Sequence, residues 1–446
     1  MNGIRHGIRS EQGSVLVVVM GLLFISVGLV IAILDVASNA RKVAQKQSDM
    51  EAAMYVAEAG METGARMMES NLTKIVQSST GTTNGSGNVG AGSFNYYICR
   101  TNNTGTYCII STGTVNNIKR VVSLMDVYQP SYAQFALWSA TNGAIYFVDG
   151  EIFTGHVHAD DKLYFDATGG GPVFHSAVTS DAGTYSIQNG SINAIEFDQG
   201  LTLNSYQGTM ADVDFNSAAS TSLKSTAGNT GTLGTLLTGS TTITFNGGTF
   251  TVTNTRKSWN NHVLTNSPTG DNLIYVATAT SGSSDILGTV YMNGGHVTGR
   301  MTIASEDDMT IAGSITYTTN PRTTPSSTDA LGLISDTDVW VGTSAPHNLE
   351  IDAAIMATGA SSAANSPGSF GVNNYDDSSN PHLGNRGTLT VYGGIVQEVR
   401  GAVGTGSGTT GYIKNYSYDP RFITTPPPYY PKISSKVLFS QWTESH

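Results

Sequence analysis

The chain has 446 residues, of which 12% are charged, and a net charge of −11; an ordinary domain carries about a quarter charged residues. That balance lacks the phosphate-neutralising basic patch of a nucleic-acid binder, so no nucleic-acid partner is expected. The 51 glycines and abundant Thr, Ser and Asn approach a disordered composition, but apolar and aromatic residues recur in short strand-like runs throughout, which excludes general disorder.

Residues 1–13 precede the long apolar run. The run from Ser14 to Leu34 holds 21 residues without a charge. As a helix it spans about 31 Å, enough for a hydrocarbon core of roughly 30 Å. Secretory signal peptides have shorter apolar regions, about 7–15 residues. A signal peptide cleaved after Ser38-Asn39-Ala40 is the alternative, but Asp35 and the helical pattern beyond it favour a retained stem. Arg5 and Arg9 on the first flank favour an N-terminus inside, which exports the bulk of the chain.

Beyond the span the pattern becomes amphipathic. Val36, Ala40, Val43, Gln47, Met50, Met54, Ala57, Met61, Ala65 and Met68 recur every three or four residues, the period of one helix face. Glu62 and Arg66 lie off this stripe as a favourable i,i+4 pair. One helix over 14–70 is therefore predicted, with a lipid-facing half and a half that docks. Its partner is either the protein's own β domain or neighbouring subunits.

Residues 71–92 are Gly/Ser/Thr-rich and read as a linker. A β-hairpin and strand region follows over 93–128. Within it Cys99 and Cys108 are symmetric about Asn103–Thr104, so a hairpin with that centre sets the thiols face to face. In an oxidising compartment a disulfide is expected. From 129 to 423, short runs such as GAIYFVDGEIF and GTVYMNGGHVTGRMTIASEDDMTIAGSITY alternate apolar and polar residues between Gly, Asn and Asp turns. Strands of this kind without intervening helices fit an irregular parallel β-helix or solenoid-like domain, or a sandwich. Residues 424–446 open with Thr-Thr-Pro-Pro-Pro and are expected to form an extended, polyproline-like tail.

The tightest polar cluster is His156, His158, Asp160, Asp161 and His175. On a strand, His156, His158 and Asp160 share one face, so two imidazoles and a carboxylate can bind a divalent metal. Histidines at strand ends more often hydrogen-bond turns; the structural reading is preferred and no metal site is assigned. Glu306, Asp307 and Asp308 lack calcium-loop spacing and read as a solvated turn, as do Asp376 and Asp377. No P-loop, dinucleotide fingerprint or paired-carboxylate groove appears. No catalytic residue, enzymatic activity or cofactor is expected.

Gln12-Gly13-Ser14-Val15-Leu16, the apolar helix and Ala57-Glu58-Ala59-Gly60 resemble the N-terminus of type IV pilin-like proteins of the minor-pilin type. The resemblance implies leader removal between Gly13 and Ser14 by a prepilin peptidase, and insertion of the helix among other pilin-like subunits. Val18 departs from it, standing where major pilins carry Glu. Gly155–Asp161, Gly171–His175, Gly294–Ala304 and Gly393–Pro428 resemble an uncharacterised bacterial family of β-rich pilin-like surface proteins. Together these imply a single-pass inner-membrane component of minor-pilin or pseudopilin kind. Its β domain is in the periplasm or at the cell surface, for assembly or adhesion. A surface-anchored β-helix that binds or processes carbohydrate is the alternative.

Overall fold

The computed structural model describes residues 12–76, 82–101, 106–207, 218–228, 234–266, 271–281, 284–359, 367–380, 382–405, 409–434 and 436–445. The chain is mainly β with one long N-terminal helix and a large parallel sheet.

The helix, α1, runs without interruption over Gln12–Val76, longer at both ends than the 14–70 read from the pattern. No proline interrupts it, and good helix formers fill the interval beyond Asp35. At 1.5 Å per residue its 65 residues extend about 98 Å. Its second half packs on an antiparallel sheet made of β1 (Thr82–Val89), β2 (Gly92–Thr101), β3 (Thr106–Val115) and β4 (Ile118–Val127).

The buried line on α1 is Ala53, Val56, Ala57, Gly60, Gly64 and Met68. The methionine stripe shares Ala57 and Met68 with it, whereas Met50, Met54 and Met61 are half-buried beside it and Val36 and Val43 are exposed. Small residues win the centre because the backbones nearly touch. A Cβ on Gly113 of β3 would collide with the backbone of Ala53 and Ala57, and one on Gly60 with Ser111 and the Phe94 ring. Phe94, Tyr96, Ile98 and Ile109 complete this core.

The expected linker 71–92 is corrected in part: α1 continues to Val76, and 82–89 is strand β1, paired with β2 in unbroken register. Its glycines conceal a strand from composition. Gly85 and Gly87 lie opposite Tyr96 and Phe94, whose rings occupy the space their side chains would fill, so aromatic cover replaces side-chain packing on β1. Residues 77–81 lie outside the described residues. In the β2–β3 register Cys99 faces Cys108 directly, with Cα atoms 5.1 Å apart, a separation that a disulfide spans. The turn residues 102–105 lie outside the described residues.

The parallel sheet contains a ladder of ten strands. In spatial order they are Gly234–Thr238, Asp271–Ala277, Arg300–Ser305, Ala330–Ser335, Leu349–Ala357, Asn385–Val399, Phe135–Thr141, His156–Ala159, Val178–Ser180 and Leu201–Leu203. The order is informative. The chain enters in the middle at Phe135 and advances strand by strand to Leu203. It then restarts at the far edge with Gly234 and advances to Asn385–Val399, beside its own first strand.

A second parallel row runs from Thr241–Gly247 through Val290–Val297, Ile315–Tyr317 and Leu349–Ala357 to Asn385–Val399 and Gly411–Tyr418. The long strand Asn385–Val399 serves both. Its first half pairs with Gly411–Tyr418 and its second half with Phe135–Thr141. The change of partner falls at Gly393–Gly394. There φ is +151° at Gly393, and a Cβ at either position would collide with the carbonyl of Ala353 or Phe135.

Alternate residues of the ladder feed two cores. One side carries Val157, Val178, Ile274, Ile303, Leu333, Ile355 and Ile395. The other carries Trp138, Tyr275, Ala304, Ile334, Met356 and Val396, covered by the helix Ala218–Gly228 through Leu223 and Ala227 and by Phe422 and Tyr430. Burial on both faces is what parallel strands require.

The C-terminal tail is not free, which corrects the expectation for 424–446. The carbonyl of Pro426 accepts from Arg300 Nη2 at 2.6 Å, and that of Pro428 accepts from Thr302 Oγ1. Prolines lack N–H donors, but their carbonyls satisfy the polar groups that the ladder presents outward. The chain then reaches the antiparallel sheet, where Gln441–Ser445 pairs with β4 and Val437 N donates to Glu69 of α1.

Gly113→Val should prise α1 from the sheet and destabilise the packing by about 1–3 kcal/mol. Denaturant unfolding together with protease accessibility of 49–70 in detergent measures it; unchanged values would remove the close-contact account. Non-reducing peptide mapping of the native protein is expected to join Cys99 to Cys108, and free thiols there would refute the bridge.

Candidate functional site

Among the described residues, none covers the N-terminal half of α1. Phe24 is 73% and Val36 70% exposed, and every large apolar side chain from Val15 to Leu34 is open. The segment is long and apolar enough to cross a membrane. Apolar surface on this scale demands lipid or protein around it. Gln12, Gly13 and Ser14 are the first described residues of α1. The rest of the expected leader lies outside the described residues.

The histidine cluster separates into distinct arrangements. His156, His158 and Asp160 do share the outer face of one strand, as alternation requires. His156 Nε2 nevertheless bonds Thr179 Oγ1 at 2.8 Å on the neighbouring strand, and burial together with the adjacent His158 lowers its pKa to about 4. His158 is 1% exposed and its Nδ1 meets the same hydroxyl at 2.7 Å. Its other nitrogen, Nε2, stands 3.3 Å from Asp160 Oδ1 and 3.6 Å from Asp181 Oδ1. Trp138 Nε1 donates to Asp160 Oδ1 at 2.7 Å, and the Trp138 and His158 rings meet edge-on with centroids 4.4 Å apart. Burial raises the Asp181 carboxyl.

Asp161 turns away, accepting from Asn142 N and Nδ2, both at 3.0 Å. His175 pairs with Asp198 at 2.8 Å in an exposed setting, where such pairs contribute little.

Trp138, Thr179 and Asp181 were not among the residues singled out from sequence. A signal for two of them was present: Val157-His158-Ala159-Asp160 and Val178-Thr179-Ser180-Asp181 are the same apolar-polar-small-acid pattern. The parallel register aligns them residue for residue, and Trp138 opposite His158 extends the row.

The acidic run at 306–308 is not a solvated turn. Glu306 accepts from Lys224 Nζ, Tyr275 OH and Thr278 N at 2.8, 3.0 and 2.8 Å. Asp308 Oδ1 accepts from Thr337 Oγ1 at 2.6 Å and Asp338 N at 3.2 Å. These side chains bind successive strand ends together at a half-buried corner. Asp377 makes an ordinary turn, accepting from Ser379 N and Oγ.

A groove of about 340 Å³ is lined by Tyr146, Glu151, Asp166, Gln188, Tyr412 and Lys414 among others. Two of its three carboxylates, Glu151 and Asp166, are engaged, and Asp149 is the third. Glu151 pairs with Lys414, and Arg400 stands 4.0 Å away. Asp166 accepts from Thr168 N, Gln188 Nε2 and Asn189 Nδ2 at 2.9, 2.8 and 3.1 Å. A glycoside hydrolase needs one carboxyl free to hold a proton and another free to attack or activate water; Glu151 and Asp166 are committed elsewhere.

No protein-family model matches the chain, and no curated protein matches it. The crystal structure of the competence-associated pilin ComZ from Thermus thermophilus is similar at 10% identity, covering 89% of this chain and 98% of that chain with a TM-score of 0.30. A likeness this distant carries no argument about fold or function.

The hydrogen bonds from Thr168, then Gln188 and Asn189, hold Asp166 down at about 2. A depressed carboxylate stabilises the fold above its unfolded pKa, near 3.9, and that stabilisation is lost as pH falls through about 2. Asp166→Asn is therefore expected to cost about 1 kcal/mol at pH 7, with the difference shrinking between pH 4 and pH 2. Denaturant unfolding at both ends of that range checks it; a difference that grows on acidification would contradict the assignment.

Proposed function

We propose that the protein is a membrane-anchored, pilin-like structural or assembly component, of minor-pilin or pseudopilin kind, that displays a large β domain. One observation carries this reading. A single rigid helix is locked to its own sheet through Ala53, Ala57, Gly60 and Gly64, while its first half carries a bare apolar surface. Such a helix transmits position. Whatever holds Val15–Leu34, lipid first and other pilin-like helices after assembly, also fixes the sheet and the domain beyond it.

In this reading a prepilin peptidase removes residues 1–13, the anchor crosses the inner membrane once, and the β domain faces the periplasm or cell surface. The strand order and the shared long strands support an irregular parallel β-helix that starts in its own middle. Its bulk suits a minor or tip position, for assembly or adhesion. Val18 leaves the anchor without the acid that major pilins carry, and the helix half around it offers only apolar packing. The carbohydrate-processing alternative has less support, because Glu151 and Asp166 of the groove are tied up.

Mass spectrometry of the native protein should find Ser14 as the first residue. An intact Met1, or a start at Arg41, would reject the pilin-like processing.

A further inference from the structure

We propose that His158, Asp160 and Asp181 form a binding site for one divalent transition cation, zinc or manganese, at the ends of two adjacent parallel strands. The three residues each present one ligand atom, and these atoms all lie within 4.8 Å of one another. Two strands supply them in register: His158 and Asp160 come from His156–Ala159 and its end, and Asp181 directly follows Val178–Ser180.

The separations distinguish a cation site from a hydrogen-bonded cluster. A normal N–H···O bond is about 2.7–3.2 Å long. His158 Nε2 is 3.3 and 3.6 Å from the two carboxylate oxygens and makes no hydrogen bond, and neither does Asp181 Oδ1. Two ligand atoms each about 2.1 Å from one ion at a tetrahedral angle stand about 3.4 Å apart. The observed gaps bracket that value.

One of the two His158 tautomers suits such a site: when Nδ1–H donates to Thr179 Oγ1, 2.7 Å away, Nε2 carries a lone pair aimed between two carboxylates. In a ring 1% exposed that arrangement is repulsive until a cation enters. Thr179 and Trp138 then act as supports: one fixes the imidazole, the other orients Asp160 by donating at 2.7 Å, the usual outer shell of a metal site. The backbone of Gln207 holds Asp181. The carboxylate side chains retain 16% and 18% exposure, which gives water access to the remaining coordination positions.

One imidazole and two carboxylates suit zinc or manganese. Calcium takes six to eight oxygens, and a nitrogen ligand is foreign to it. Bound there, the ion would clip two successive strands close to the point where Phe135–Thr141 joins the late strand Asn385–Val399.

The test uses the full chain in detergent, stripped with chelator, and titrated by calorimetry with Zn²⁺, Mn²⁺ and Ca²⁺. Bound metal is counted by elemental analysis. One Zn²⁺ or Mn²⁺ per chain is expected, with Ca²⁺ binding at least about tenfold more weakly. Asp181→Asn should weaken binding at least about tenfold, and Thr179→Val by about 10- to 100-fold, as for outer-shell changes generally. Circular dichroism and melting of the metal-free variants establish that they fold. Binding of neither ion, or equal binding by a folded Asp181→Asn variant, overturns the site. Should that variant fail to fold, pulsed electron paramagnetic resonance of Mn²⁺ on the unaltered chain decides. Coupling to one imidazole nitrogen supports the proposal and its absence refutes it.

Discussion

The pairing of Asn385–Val399 with Phe135–Thr141 is the contact on which the β domain depends. It is parallel, buried, and joins residues some 258 positions apart, as in the bond from Gln397 Nε2 to Ser139 Oγ. Before it forms, the domain is two stacks of strands, each with an open edge that becomes the middle of the finished ladder. An open edge of this length invites pairing with other chains. After it forms, both cores run continuously beneath one ladder. Gly393 and Gly394 permit it by letting one strand leave one row and join the next. Contacts at such sequence separation are slow to find, so the early strands from Phe135 to Leu203 must wait for nearly the whole chain.

The C-terminal segment supplies a second closure. After the ladder is complete, the proline run crosses its outer face over Arg300 and Thr302, and Gln441–Ser445 becomes the last strand of the antiparallel sheet against β4. The two ends of the β region therefore meet beside α1, where Val437 N reaches Glu69. The helix, the small sheet and the large parallel sheet are tied by the same segment. Force or displacement applied at the anchor passes to the β domain through packed strands rather than through a loose tether.

Carboxylates gather in clusters where strands of the ladder end. Glu306, Asp308, Thr337 and Asp338 bridge successive strands at one corner, while Trp138, His158, Thr179, Asp160 and Asp181 form a row at another. In both, the parallel register stacks equivalent positions, so a residue type at a strand end meets its counterpart from the next strand about 5 Å away. Stacked carboxylates repel unless something positive or a donor intervenes. At the first corner, Lys224, Tyr275 and Thr337 provide it.

Much of the outline was legible in the chain itself. Twenty-one uncharged residues define a candidate membrane anchor by length alone, and a 3.6-residue period beyond them defines a helix. Cys99 and Cys108 mirror one another about their turn, and their facing register followed directly. Tertiary structure decided the rest because it depends on neighbours far away in sequence. Gly85 and Gly87 look like linker residues until Tyr96 and Phe94 cover them. The true docking line, Ala53–Ala57–Gly60–Gly64, is hidden beside a more conspicuous methionine stripe, since only the approach of Gly113 makes small size valuable. The proline tail looked free because no local pattern announces the carbonyl acceptors that Arg300 and Thr302 require. His158 and Asp160 were visible on one strand face by alternation, but Asp181 joins them only through the register of the next strand. Local periodicity determines what each segment of this protein is; which segments lie side by side is set by burial and pairing across hundreds of residues.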